Sequence, residues 1–104
     1  MTSVKITVLK TDFNETLATA YGAPTLSGAC PLYREGQVLL TDQHNPPASF
    51  CGEAWKCIQH YVYALCYGAD APFGKDWMRE GGVAIATCND GLRPVTFKLE
   101  RLTV

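Results

Sequence analysis

The pattern near the C-terminal end of the chain constrains its fold more than any other feature. In residues 83–88, Val, Ile and Thr alternate with the small residues Ala and Cys. In residues 95–100, the apolar residues Val, Phe and Leu alternate with Thr, Lys and Glu. A period of two residues is typical of a β-strand. Between the two runs, Asn89-Asp90-Gly91 supplies turn residues that tolerate a positive φ. These three signs together predict a β-hairpin.

The first part of the chain predicts a strand followed by a short helix. Residues 4–8 alternate apolar and polar side chains, which is the pattern of a half-buried strand. Asp12 and Glu15 have the spacing of a capping box, in which the first residue caps a helix and the second bonds back to it. A helix is therefore expected over about residues 13–21, with Gly22 as its stop.

A long helix is predicted over about residues 51–67, and a short strand at 38–40. The apolar side of this helix must lie on a sheet, and it consists of Ala54, Trp55, Ile58, Tyr61, Val62 and Leu65. The order strand, helix, strand, helix, hairpin predicts one α+β domain spanning residues 1–104. We expect a mostly antiparallel sheet, with the long helix packed across one face and the hairpin at the C-terminal end.

Charge and composition exclude several classes of partner. A net charge of −1 with scattered Lys and Arg provides no basic field for nucleic acid, and no stretch approaches the length of a membrane span. Lys5 and Thr7 interrupt the apolar residues near the start, so no secretory core is predicted there. We therefore expect a cytoplasmic protein whose partner is a small molecule, an ion or another protein.

The chain contains five cysteines and no Cys-x-x-Cys pair. An odd number leaves at least one thiol unpaired, and structural disulfides are rare in a reducing compartment. Cys30 lies in a loop, Cys51 at the start of the long helix and Cys88 beside the hairpin turn. Because a fold can bring such separate positions to one site, we predict Cys51 as an acid–base group or nucleophile, assisted by Cys88 or Cys30.

The position of Cys51 supports a catalytic role, and a structural role competes with it. The amide groups and dipole of a helix's first turn favour an anion, so a thiolate would be stabilised there. Glu53 is the predicted proton carrier. Alternatively, Cys51 is a small buried hydrophobic residue. Glu53 then belongs, with Cys57 and His60, to a polar stripe that is exposed to solvent.

Arg93, Asp90 and Trp77 are the predicted substrate-binding residues. Arg93 would bind a carboxylate or phosphate through its planar guanidinium group, close to Asp90 at the hairpin tip. Trp77, in the loop after the long helix, would form a wall of the pocket. The structural alternatives are turn formation for Asp90, solvent exposure for Arg93 and core packing for Trp77.

A metal site is the alternative use of the cysteines. Thiolates from Cys30, Cys51 and Cys88, with His44 or His60, would suit zinc or iron. However, the closely spaced ligand pairs of ordinary structural zinc sites are missing. No cysteine pair has the spacing of an iron–sulfur cluster either. We expect no organic cofactor, since the sequence contains no dinucleotide fingerprint and no phosphate loop.

Three motifs together carry a resemblance to a known family. They are Gly28-x-Cys30-Pro31-x-Tyr33-x-x-Gly36, Phe50-Cys51-x-x-Ala54-Trp55 and Cys88-x-Asp90-Gly91-x-Arg93-Pro94-Val95-x-Phe97-x-Leu99-Glu100-Arg101. In this order, which spans nearly the whole chain, they resemble a small family of uncharacterised cysteine-containing proteins. Its members are found mostly in anaerobic bacteria and archaea, with some in fungi. The resemblance implies no settled activity. It does imply that Cys30, Cys51 and Cys88 fall within family motifs.

These features predict a small lyase or isomerase that works without an organic cofactor. Its substrate would be a small organic acid or aromatic metabolite, transformed by acid–base or thiol chemistry. We expect a homodimer, because a chain of 104 residues rarely encloses a deep pocket alone and pockets favour interfaces. A non-enzymatic accessory protein that binds a metal or exchanges thiols with a partner is the alternative. A plain interaction module with cysteines in its core is the third possibility.

Overall fold

The computed structural model of the chain describes residues 2–102, which form one antiparallel sheet and two helices. The elements are β1 (Ser3–Thr11), α1 (Glu15–Tyr21), β2 (Val38–Leu40), α2 (Gly52–Cys66), β3 (Val83–Thr87) and β4 (Val95–Leu102). The strand order across the sheet is β2-β1-β4-β3, with every neighbouring pair antiparallel. The predicted α+β class, antiparallel sheet and C-terminal hairpin are confirmed. Among residues 2–102, no helix has both the length and the apolar character needed to cross a membrane.

The alternating pattern of the two central strands decides which face of the sheet is buried. From Val4 to Val8 and from Val95 to Leu99, every second residue is at most 1% exposed, namely Val4, Ile6, Val8, Val95, Phe97 and Leu99. The register places Ile6 opposite Leu99 and Val8 opposite Phe97. Since side chains of paired residues lie on the same face, the buried residues of β1 and β4 form one continuous apolar surface.

Helix α2 covers this surface with the side that the sequence predicts. Its buried residues recur every three or four positions, as Ala54, Ile58, Val62 and Leu65, with Cys66 beside them. Trp55 and Tyr61 are half-buried and pack against the same core. Full burial of a side chain such as Ile58 or Leu65 stabilises the fold by roughly 1.5–3 kcal/mol. Burial of these residues between helix and sheet therefore contributes several kcal/mol to stability.

The start of α1 differs from the predicted capping box. Asn14 caps the helix, with its side-chain oxygen accepting a hydrogen bond from the Leu17 amide at 3.3 Å. Asp12 instead donates its backbone amide to the carbonyl of Pro94 at 2.9 Å. Asn and Asp are equally good caps, so this backbone bond to the hairpin, which no local pattern reveals, holds Asp12 outside the helix.

Arg101 of β4 binds the C-terminal end of α2. Its Nη1 donates hydrogen bonds to the carbonyls of Leu65 at 3.3 Å and Ala69 at 2.7 Å, and its Nη2 pairs with Asp70. The last carbonyls of a helix have no intrahelical partner, so a charged donor satisfies them well. Gly82 leaves room for the guanidinium group, since a Cβ there would lie 3.2 Å from Nη2.

Replacing Arg101 with methionine keeps an unbranched stem and removes these hydrogen bonds. We expect the free energy of unfolding to fall by about 1–3 kcal/mol. The Ala69 carbonyl beyond α2 loses its charged donor, and the Leu65 carbonyl keeps its bond from the Gly68 amide at 3.2 Å. Urea denaturation followed by circular dichroism measures the change. Lys98→Met is the matched control on the same strand, where it breaks only an ion pair with Glu100 at 3.4 Å. It should change stability by less than about 0.5 kcal/mol, and equal losses in the two variants would contradict the role of Arg101.

Candidate functional site

Six of the seven predicted site residues line one cavity of about 310 Å³. The cavity lies where the start of α2, the loop between α1 and β2, and the connection between β3 and β4 meet. The six are Cys30, Cys51, Glu53, Cys88, Asp90 and Arg93, and the lining also includes Leu32, Tyr33, Ala54, Asn89 and Val95. Three thiols from three separate parts of the chain thus line the same cavity.

Each of these thiols is positioned by a different kind of local structure. Cys51 is the N-cap residue of α2, and its side chain makes no capping hydrogen bond. Cys88 follows the last residue of β3 and still pairs with Val95. Its amide donates to the Val95 carbonyl at 3.0 Å, and its Sγ accepts a hydrogen bond from the Val95 amide at 3.3 Å. Cys30 is half-buried in the loop before β2 and packs against the core.

Tyr33 connects this loop to the start of α2. Its hydroxyl oxygen accepts a hydrogen bond from the Cys51 amide at 2.9 Å. Its ring meets Phe97 edge-on at 5.4 Å between centroids and lies tilted against Phe50 at 5.5 Å. Phe50 in turn meets Trp55 edge-on at 5.8 Å. These packed rings fix the loop against the sheet and helix, which keeps Cys30 beside Cys51 in the cavity.

The sequence did not single out Tyr33 as a site residue, although its environment is distinctive. Burial raises the pKa of the Tyr33 hydroxyl, and negative charge on Cys51, Cys30 and Cys88 would raise it further, while the hydrogen bond from the Cys51 amide acts in the opposite direction. The only sequence signal is its place three residues after Cys30 in a family-like motif. Burial of the hydroxyl and its contacts with distant residues are properties of the folded chain alone.

Asp90 and Arg93 form a compact unit at the cavity. Asp90 Oδ1 accepts hydrogen bonds from the amides of Leu92 at 2.9 Å and Arg93 at 3.1 Å. The Leu92 amide is the largest of the influences that together lower the pKa of Asp90. Asp90 Oδ2 lies 3.6 Å from Arg93 Nε, a buried atom without a hydrogen-bond partner among residues 2–102. Both structural turn formation and an anion-binding role are therefore compatible with this arrangement.

Glu53 lines the cavity as an ionised carboxylate. Its Oε2 accepts a hydrogen bond from Lys56 Nζ at 2.9 Å, and its Oε1 accepts one from Asn89 Nδ2 at 3.0 Å. The Lys56 bond is the largest cause that lowers the pKa of Glu53, followed by the Asn89 bond. A carboxylate held in this way stays ionised near neutral pH and is a poor proton donor. The hydrogen bonds of Glu53 therefore favour a role as a fixed negative charge at the cavity wall over the predicted role as a proton carrier.

Trp77 is the predicted site residue that lies outside the cavity. It is 70% exposed and stacks on Phe73 at 6.3 Å, and Phe73 stacks on Tyr61 at 4.3 Å. The cavity is at the start of α2, whose fifteen residues span about 22 Å. Trp77 packs through Phe73 on Tyr61, and neither Phe73 nor Tyr61 lines the cavity, so the fold places Trp77 on a different surface.

The remaining two cysteines are separate from the cavity. Cys66 is 7% exposed and donates its thiol hydrogen to the carbonyl of Gln43, with a sulfur–oxygen distance of 3.3 Å. Burial raises the pKa of the Cys66 thiol. Cys57 is half-buried in the middle of α2 and borders a groove with Tyr61 and Phe73. The five cysteines, all reduced, thus divide into three that line the cavity and two that lie elsewhere.

Within residues 2–102, no group of three or more His, Cys, Asp or Glu side chains is arranged to hold a metal ion. Comparison of the chain with protein-family models, curated proteins and solved structures gives no significant match. The resemblance inferred from the three motifs therefore stays a prediction. The function must be argued from the residues of the cavity.

The hydrogen bonds of Glu53 predict a measurable change in its titration. Replacing Lys56 with methionine removes the largest cause of the lowered pKa, so the pKa of Glu53 should rise towards its ordinary value. Carboxyl ¹³C NMR of the two proteins over an acid titration measures this. Lys75→Met removes an exposed lysine that does not line the cavity, and it should leave the Glu53 titration unchanged. A Glu53 titration unaffected by Lys56→Met would show that the ion pair is absent in solution.

Proposed function

We propose that the chain is a small lyase or isomerase that acts on a small organic acid or aromatic metabolite through its own side chains. The observation that carries this proposal is the convergence of Cys30, Cys51 and Cys88 with Tyr33 and Arg93 on one cavity. Such a concave site with a few convergent polar groups is the usual form of a catalytic or ligand-binding pocket. A volume near 310 Å³ is at the small end of the range for ligand pockets, about 300–1,000 Å³.

Cys51 is the proposed acid–base group or nucleophile. Ser, Thr, Asn and Asp are preferred at an N-cap because a side-chain oxygen accepts a hydrogen bond from the first turn, and a poor cap costs about 1 kcal/mol. The Cys51 side chain makes no such bond. A residue that gives up helix stability and borders a cavity is typical of a functional position. Cys88 and Cys30 would assist from the other walls.

Arg93 is the proposed binding group for the substrate's carboxylate. Asp90 holds the backbone of Arg93 through the turn and lies 3.6 Å from Nε, which orients the guanidinium group. Apolar substrate atoms would contact Ala54 and Val95, both 1% exposed, and Leu32. This combination of one cation with an apolar wall favours an acid with a hydrocarbon or aromatic part.

An accessory protein that exchanges thiols or binds a metal is the second candidate. The three thiols of the cavity support thiol exchange. Their arrangement does not support the metal-binding form, since no group of three or more such ligands within residues 2–102 is placed to hold an ion. The two candidates differ in the part played by Arg93. The enzyme needs its positive charge to bind the substrate, whereas neither thiol exchange nor zinc or iron binding needs a cation beside the cysteines. The homodimer and the cytoplasmic location stay predictions. Leu32, which is 63% exposed beside the cavity, is compatible with a partner subunit covering that side.

Replacing Cys51 with serine tests whether this thiol is kept for function or for packing. Serine is a good N-cap, so we expect the free energy of unfolding to rise by about 0.5–1 kcal/mol. Cys57→Ser is the matched control in the middle of the same helix, where serine should give no gain. Urea denaturation of both variants provides the comparison. If Cys51→Ser instead destabilises the protein by more than about 1 kcal/mol, Cys51 is a packing residue and the catalytic role fails.

Alkylation tests the proposed pairing of Cys51 with Arg93. The folded protein is treated separately with iodoacetate and iodoacetamide, and modified cysteines are quantified by mass spectrometry. Because Arg93 would attract the carboxylate, iodoacetate should be favoured over iodoacetamide at Cys51 by about fivefold more than at Cys57, which corresponds to about 1 kcal/mol of charge interaction. Arg93→Met should abolish this preference. Arg79→Met, which removes an exposed arginine of another surface, should retain it.

Several outcomes of this experiment would decide against the enzyme. If Cys51 stays unmodified until the protein unfolds, it is inaccessible to any substrate. An equal preference for the two reagents, unchanged in Arg93→Met, would remove the anion-binding role. Protection of all three cavity thiols by added Zn²⁺ or Fe²⁺, with the metal retained after gel filtration, would favour the accessory protein.

A further inference from the structure

The hydroxyl hydrogen of Tyr33 is available to a ligand in the cavity. A phenol can donate one hydrogen bond and accept others. The Tyr33 oxygen accepts a hydrogen bond from the Cys51 amide, and among residues 2–102 the hydroxyl donates to no protein acceptor. Tyr33 also lines the cavity. A molecule bound there would therefore meet a donor whose oxygen is already held in place by the start of α2.

Packing makes this donor rigid. The Tyr33 ring is held edge-on against Phe97, which is 0% exposed, and tilted against Phe50. With the ring fixed at its faces and the oxygen fixed by the Cys51 amide, the hydroxyl has little freedom except rotation of its hydrogen. A preorganised donor of this kind stabilises charge that develops on a substrate oxygen, because no reorganisation is needed as the reaction proceeds.

The charged groups of the cavity do not give up a proton near neutral pH. Both oxygens of Glu53 accept hydrogen bonds from cationic or amide donors, and Asp90 Oδ1 accepts two backbone amides. The pKa of each carboxyl is lowered, so neither carries a proton near neutral pH. Arg93 is permanently charged. Among the lining residues, Tyr33 and the three thiols are left as groups that can give a proton.

A phenol beside thiols supplies an acid and a base in the same cavity. The pKa of Tyr33 is raised above 10.0, chiefly by burial, whereas an ordinary thiol ionises near pH ~8.5. Tyr33 therefore keeps its proton at pH values where an unperturbed thiol in solution is already ionised. Enolisation moves a proton from the carbon beside a carbonyl group to the carbonyl oxygen, and it is promoted by such a pair, with a base for the carbon and an acid for the oxygen.

We propose that Tyr33 is the catalytic proton donor of this site and that the substrate is a small carbonyl acid whose carbon next to the carbonyl group bears a hydrogen. The carbonyl oxygen would lie at the Tyr33 hydroxyl, the carboxylate at Arg93 and the acidic carbon at Cys51. This inference rests on the proposed function, and it narrows that function to enolisation.

The proton transfers balance without an oxidant or any other reactant. The Cys51 thiolate takes the proton from carbon, and the electron pair of that bond forms a carbon–carbon double bond. The former carbonyl pair moves onto oxygen, which takes the Tyr33 proton, giving an enol, a thiol and a phenolate. The phenolate then recovers the proton from oxygen as the thiol protonates carbon. Protonation at a different carbon completes an isomerisation, and protonation at the same carbon exchanges its hydrogen with solvent.

Hydrogen exchange in D₂O tests the proposal without knowledge of the natural product. The probes are pyruvate, 2-oxobutyrate, phenylpyruvate and acetoacetate, and ¹H NMR follows loss of the signal from the carbon beside the carbonyl group. We expect the wild-type protein to accelerate exchange of at least one probe. Tyr33→Phe, which retains the ring, should lower kcat for this exchange by about 100-fold or more with little change in KM. Tyr61→Phe, outside the cavity, should leave it unchanged.

The pH dependence of the wild-type protein gives an independent measurement if Tyr33→Phe folds poorly. Tyr33 acts in its protonated form, so its contribution is present below its pKa and lost as the pH rises through it. Because that pKa is raised, the alkaline fall in kcat should lie above pH 10.0, the ordinary value for tyrosine. An alkaline fall in the wild-type kcat at or below pH 10.0 would contradict Tyr33 as the proton donor.

The outcomes separate failure of this inference from failure of the proposed function. Each probe is also tested for protection of Cys51 against iodoacetamide. Protection without exchange of any probe, or exchange that Tyr33→Phe lowers by less than about tenfold, overturns the role of Tyr33 and leaves the carboxylate-binding thiol site intact. Absence of both protection and exchange, with Cys51 unreactive in the folded protein, overturns the proposed function itself.

Discussion

The packing of Phe97 against Tyr33 and Phe50 is the contact on which the cavity depends. Phe97 is a fully buried residue of a central strand, Tyr33 belongs to the loop before β2, and Phe50 directly precedes the start of α2. Aromatic contacts of this kind contribute about 0.5–1.5 kcal/mol each beyond the burial of their area. They join a strand, a loop and the residue before the N-cap of a helix, three segments that are far apart along the chain. The cavity is formed where those segments meet, so its shape is set by the hydrophobic core.

The charged groups around the cavity follow a simple electrostatic division. The carboxylates of Glu53 and Asp90 are both engaged by hydrogen-bond donors, and these contacts keep them ionised. The proposed groups for proton transfer are the three thiols and the Tyr33 phenol, and the Tyr33 ring packs directly on Phe97 and Phe50. The proposal thus gives proton transfer and charge balance to different residues. Hydrogen bonds lower the pKa values of the two carboxyl groups, whereas burial raises the pKa of Tyr33. Separation of this kind is a recurrent property of acid–base sites.

Local patterns predicted the fold well because they report burial directly. The alternation in residues 83–88 and 95–100 corresponds to β3 and β4, and the apolar side predicted for the long helix contains the buried residues Ala54, Ile58, Val62 and Leu65. Asp12 fails as a cap because its amide bonds to a residue 82 positions away, Pro94. Spacing along the chain carries no information about such a bond.

The same limit explains what could and could not be predicted of the site. Cys51 and Cys88 stood out because each adjoins a recognisable element, a helix start and a strand end. Tyr33 did not, since the features that distinguish it are burial of its hydroxyl and a hydrogen bond across 18 positions to Cys51. Trp77 was expected in the pocket because it is a large aromatic residue in a loop. It lies elsewhere because it stacks on Phe73, which packs on Tyr61 and not on a residue of the cavity.

The strand order also determines when during synthesis this protein can fold. β1 pairs with β4 at the centre of the sheet, although nearly the whole chain separates the two strands. Until residues 95–102 have left the ribosome, Val4, Ile6 and Val8 have no central partner, and Arg101 is not yet present to bind the end of α2. Contacts so distant in sequence slow folding, and exposed apolar strands aggregate. The nascent chain is therefore expected to depend on rapid completion or on a chaperone until its last strand is released.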